Sequence, residues 1–126
     1  MKSAKAVVIA AMFFVLWAGV AHSSDVMTAV LNGTKADLKI DKKQKTIEVY
    51  LSGVETKKAI TDAEVIALVR LPNNEKKEIT LSGMEMDKVF SYMNSLDTAK
   101  KGDYIFRIKV LRDKKEFIFS FTFKRE

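Results

Sequence analysis

The chain has 126 residues, a formal net charge of +6 and no cysteine. Such a length favours a single domain. The missing cysteine excludes thiol nucleophiles, thiolate metal sites, a lipid-modified cysteine anchor and disulfides, so a noncovalent core must hold the fold.

Residues 1–21 have the order of a secretory signal peptide, helical in its apolar part. Lys2 and Lys5 open it, an almost purely apolar run extends from Ala6 to Val20, and Gly19 and Ala21 precede the polar His22-Ser23-Ser24-Asp25. Cleavage is expected after Ala21, with Ser23 as the alternative site. The run is short of the roughly 20 residues that span a membrane comfortably. A retained anchor is therefore the second reading, and it would be the chain's only membrane contact. Cleavage after Ala21 removes two of the 22 basic residues and none of the 16 acids, leaving 105 residues with a charge of +4.

Residues 22–33 form an N-terminal segment, and residues 34–126 form the folded domain. Here the dominant period is two, the pattern of half-buried strands. Ala36, Leu38 and Ile40 alternate with Lys35, Asp37 and Lys39, and a polar turn leads to Ile47, Val49 and Leu51. Asn32-Gly33 is a hairpin-turn dipeptide that can tie Val26–Leu31 to the sheet as an edge strand. Ala63–Leu71 (AEVIALVRL) is apolar on both faces and reads as a central strand covered on both sides. Pro72-Asn73-Asn74 turns the chain into Lys76–Leu81.

Residues 82–101 carry two patterns. Ser82 with Glu85 resembles a capping box, and Met86, Val89, Phe90, Met93 and Leu96 fall at helical spacing. Val89, Phe90, Ser91, Tyr92 and Asn94 are mediocre helix formers, which favours a strand near Lys88–Asn94 followed by a loop. Tyr104, Phe106, Ile108 and Val110 share one face of the next strand, and KEFIFSFTFKRE closes the chain.

About seven antiparallel strands with regular turns predict an all-β, immunoglobulin-like β-sandwich. Gly102 and Tyr104 stand where a tyrosine corner sits in such folds. Phe117, Phe119, Phe121 and Phe123 alternate along the last strand. They read as a core wall and not as a stacking platform, because four exposed rings would form an apolar patch larger than a soluble monomer carries. No nucleic-acid partner is expected.

The sequence does not suggest an enzyme. The only histidine is His22, so no Ser-His-Asp set can be assembled, and there is no P-loop, dinucleotide turn, H-E-x-x-H or calcium loop. Asp62 and Glu64 are read as capping and solvated carboxylates. Two features point to a metal. His22, as the first residue after cleavage, would pair its imidazole with the free α-amine, a chelate for Cu(II). Met84 and Met86, with Met93 and Met27 elsewhere, offer thioethers suited to Cu(I). The bland readings are a linker histidine and gap-filling core methionines. Lys42-Lys43, Lys76-Lys77, Lys100-Lys101 and Lys114-Lys115 map to turns and read as solvated surface.

The runs ITDAEVIALVRLPNNEKKEITLSGMEM, VFSYMNSL and KKGDYIFRIKV resemble the exported YtkA-like domains and their FixH-like relatives across roughly residues 34–124. The resemblance implies an immunoglobulin-like sandwich associated with envelope metal handling or oxidase assembly, and it implies a strand at 88–94. Copper-linked members tend to carry more His and Met near the loop of Met84 and Met86; this chain has no His there.

The leading functional expectation is an exported, non-catalytic binding domain acting on another envelope component, without a cofactor. The alternative is a periplasmic copper-handling protein using His22, Met84 and Met86. Trp17 is the only tryptophan and lies in the leader. Protein recovered from the envelope should therefore show tyrosine emission only; tryptophan emission would mean that the leader is retained.

Overall fold

The computed structural model describes residues 24–126, and residues 1–23, including the leader and His22, lie outside the described residues. Eight strands follow one another: β1 (Ser24–Leu31), β2 (Thr34–Asp41), β3 (Thr46–Gly53), β4 (Glu64–Arg70), β5 (Lys76–Met86), β6 (Val89–Ser95), β7 (Gly102–Arg112) and β8 (Lys115–Arg125). No helix occurs among the described residues.

Every pairing is antiparallel. Hydrogen-bonded neighbours run through a single sheet in the order β1-β2-β3-β6-β5-β4-β7-β8, curled until β1 approaches β8. The result is a nearly closed barrel. This differs from the expected seven-stranded sandwich in two ways. First, the segment before Thr34 supplies a full strand, β1, paired along its length with β2. Asn32 and Gly33 adopt φ of 50° and 78°, the two positive values a tight hairpin of this hand requires. Second, β5 does not stop at Leu81. Residues Lys76–Leu81 pair with β4 and Ser82–Met86 pair with β6, so one strand joins both halves of the sheet.

The same continuation settles residues 82–101. The Ser82/Glu85 capping pattern belongs to extended backbone, and Val89–Ser95 is strand β6. Gly83 stands just past the change of partner. A Cβ built there would lie 2.7 Å from the ring of Phe90, so only glycine lets that ring close over the bend.

Alternation then sorts the side chains. Ala36, Leu38, Ile40, Ile47, Val49, Val65, Ala67, Val69, Tyr104, Phe106, Ile108 and Val110 are buried on the inner face. Phe119, Phe121 and Phe123 join them from β8, and Phe117 packs partly buried at the margin. The outer residues of β4, Ile66 and Leu68, are only half-buried. No layer covers that face, contrary to the two-sided burial expected of AEVIALVRL.

Two tyrosine hydroxyls pin the long connections that cross between the halves. Tyr92 donates to the Ile60 carbonyl at 2.8 Å and accepts from the Ala63 N–H at 3.2 Å, holding the β3–β4 connection. Tyr104 donates to the Lys100 carbonyl at 2.8 Å, four residues upstream, holding the β6–β7 connection. Gly102, at φ 124°, starts β7 with a Cβ position only 2.8 Å from Pro72, so the corner is closed to any side chain.

Phe119→Ala should cost about 3–5 kcal/mol, the range for emptying a buried phenylalanine site. Tyr104→Phe should cost about 1 kcal/mol, the net worth of one hydrogen bond. Urea unfolding at unchanged slope checks both values.

Candidate metal-binding face

The strand period decides which methionines can meet. Met84 and Met86 are two residues apart on β5 and therefore share a face. Met84 pairs with Ser91 and Met86 with Val89 across the β5–β6 hairpin, while Met93 pairs with Ser82. Residues opposite one another in an antiparallel pair point the same way. Met84, Met86 and Met93 thus lie on one outer face, with Met93 diagonal to Met84. Met84 and Met86 are 45% and 60% exposed, and Val89 beside them is 52% exposed, so the patch is apolar and open to water. The gap-filling role common for methionine does not apply to these two. Met27 is different: it sits opposite Leu38 and packs against the core.

The patch has an anionic neighbour. Glu48 of β3 lies directly opposite Met93 on the side away from Ser82. The Tyr50 hydroxyl donates to the Glu48 carboxylate. Burial, then the hydrogen bond and the charge of Glu48, push the Tyr50 phenol up to about 12.

Among the described residues no group of three or more His, Cys, Asp or Glu could hold an ion. His22, the one imidazole of the chain, lies outside the described residues. The donor set of the barrel is therefore thioether, which fits a soft monovalent copper and does not fit a divalent ion wanting imidazole or several oxygens. Sequence reasoning found Met84 and Met86 but kept Met93 apart, because the hairpin register that brings it alongside is not visible in spacing along one strand. Gly102, Tyr104 and the phenylalanine row serve the corner and the core already described, away from this face.

The sequence matches no protein-family model and no curated protein. Solved structures do share the fold. FetP of uropathogenic Escherichia coli strain F11, expressed in the periplasm, superposes with a TM-score of 0.69 at 13% identity, covering 80% of this chain and 95% of that one. A copper-bound glutamate-to-glutamine variant of FetP gives 0.67 at 14% identity, covering 82% and 98%. Copper-reconstituted P19 from Campylobacter jejuni gives 0.65 at 10% identity, covering 82% and 97%. At these identities the likeness is one of fold.

Replacing Glu48 by Gln should lower the Tyr50 pKa from about 12 toward its ordinary 10 without reaching it, since burial is the larger cause. A phenol whose pKa is raised by folding contributes stability that is complete below pH 10 and lost as pH rises through about 12. Tyrosinate absorbance and alkaline unfolding of the two proteins measure both effects.

Proposed function

We propose that this protein is an exported copper-handling protein of the cell envelope, non-catalytic, that holds Cu(I) on the thioether of Met84 together with Met86 beside it on β5 or Met93 diagonal to it on β6. The observation that carries this reading is the register of the β5–β6 hairpin, which gathers three methionine side chains on one face and leaves two of them substantially exposed. Support comes from the shared fold with FetP and P19, both solved with copper bound. The periplasmic expression of FetP and the signal-peptide pattern support the same address. So does the resemblance to YtkA-like and FixH-like domains, whose implied immunoglobulin-like architecture and metal association concern the same compartment.

In this reading the chain's own residues do simple work. The strand backbone spaces the three thioethers, and copper supplies only its affinity for soft donors. Glu48, held by Tyr50, places negative charge next to Met93 and favours a cation there. Exposure of Met84, Met86 and Val89 leaves the ion within reach of another envelope component, to which it would be passed by contact. His22, as the first residue of the processed chain, is a separate Cu(II) point.

A purely protein-binding accessory domain is the second reading, and the exposed Val89 beside Met86 favours it. Competition for Cu(I) against a chromophoric chelator separates the two. The Met84→Leu/Met86→Leu/Met93→Leu variant should lose at least about tenfold in Cu(I) affinity while its circular dichroism stays unchanged. Equal affinity in both proteins would leave the accessory reading in its place. Deleting His22 should remove Cu(II) binding and leave Cu(I) binding intact.

A further inference from the structure

On the outer face of the other half of the sheet, β4, β7 and the start of β5 frame an open groove of about 610 Å³. Leu68 and Ile105 contribute apolar surface, Arg70, Lys76 and Arg107 contribute cations, Glu78 is the one acid, and Lys77, opposite the buried Val69, borders the groove from the other face of β5. The register concentrates the positive charge. Lys76 stands directly opposite Arg70, and Arg107, opposite Leu68, is diagonal to Arg70. Like charges directly opposed across antiparallel strands weaken the pairing. Among the described residues none of these three cations forms an ion pair within 4 Å, whereas Lys35, Lys42, Lys45 and Arg112 each have a carboxylate partner. The groove therefore holds an excess of unpaired positive charge beside half-buried apolar surface, on a face that no other layer covers.

We infer that this groove binds a small organic anion, a carboxylate or phosphate ester carrying a short apolar part. Guanidinium forks engage carboxylate and phosphate oxygens in pairs, and a lysine adds a point charge. Arg70, Arg107 and Lys76 supply that set, while Leu68 and Ile105 take the apolar part. The volume falls within the roughly 300–1,000 Å³ of small-ligand pockets. Glu78 argues for a discrete ligand and against a continuous anionic membrane, which would press negative charge onto it. The groove uses other residues than the methionine face, so its ligand and copper are independent.

The test is a titration of the processed, isotope-labelled protein with hexyl phosphate, followed by amide chemical shifts. Inorganic phosphate and phosphatidylglycerol vesicles form separate arms. Hexyl phosphate should shift residues 68–70, 76–78 and 105–107 saturably and bind more tightly than inorganic phosphate. Arg70→Gln/Lys76→Gln should weaken it at least about tenfold with no loss of melting temperature, and Lys114→Gln/Lys115→Gln should leave it unchanged. Should the double variant not fold, Arg107→Gln alone should show the same weakening. Shifts scattered over all surface lysines without saturation, equal affinity in the groove variants, or binding to vesicles alone would each overturn the proposal.

Discussion

The architecture depends on β5 changing its hydrogen-bonding partner between Leu81 and Ser82. Up to that point the strand is held by β4, and beyond it by β6. Had it ended at Leu81, β6 would have lost the partner that joins it to the rest, and β1-β2-β3-β6 would form a sheet separate from β5-β4-β7-β8. Continuity makes a barrel out of what would otherwise be two layers. Gly83 permits the bend, because the Phe90 ring occupies the space its side chain would need. The two tyrosine hydroxyls then tie the crossing loops to the frame so formed, each spending its polar group on backbone carbonyls that the sheet cannot satisfy.

The same strand divides the outer surface into two chemical regions. Past the bend it carries Met84 and Met86, and with Met93 of β6 it makes a soft, apolar face. Before the bend it carries Lys76 and Glu78, and with Arg70 of β4 and Arg107 of β7 it makes a hard, cationic groove. Aliphatic and aromatic side chains fill the inner face, so both regions are built from residues that point outward. Their donor types differ: thioethers are soft and polarisable, guanidinium and ammonium are hard cations.

How much of this was legible in the sequence differs from element to element. Alternation in 34–51 and 104–123 located the inner face correctly, because strand period two is a property of single segments. Asn32-Gly33 marked its hairpin because positive φ demands particular residues. The turns at Asp87-Lys88 and Asp113-Lys114 also have positive φ at both residues, yet neither dipeptide announces it. Tight pairing on both flanks imposes those angles. The extension of β5 was hidden by a helix-like pattern, since Met86, Phe90 and Met93 satisfy either period over so short a run. Lys76-Lys77 looked like turn lysines. Their place at a groove, like the company of Met93, is a matter of register between strands, which composition along one strand does not encode.

The uncompleted closure between β1 and β8 has its own consequence. The barrel is a split ring, and β1 is bonded on one side only. None of its apolar side chains belongs to the fully buried core, which begins at Ala36. Each of the other seven strands places at least one side chain in that core, so β1 is held by its ladder to β2 with the least apolar burial of any strand, and it has the least to lose when the barrel opens.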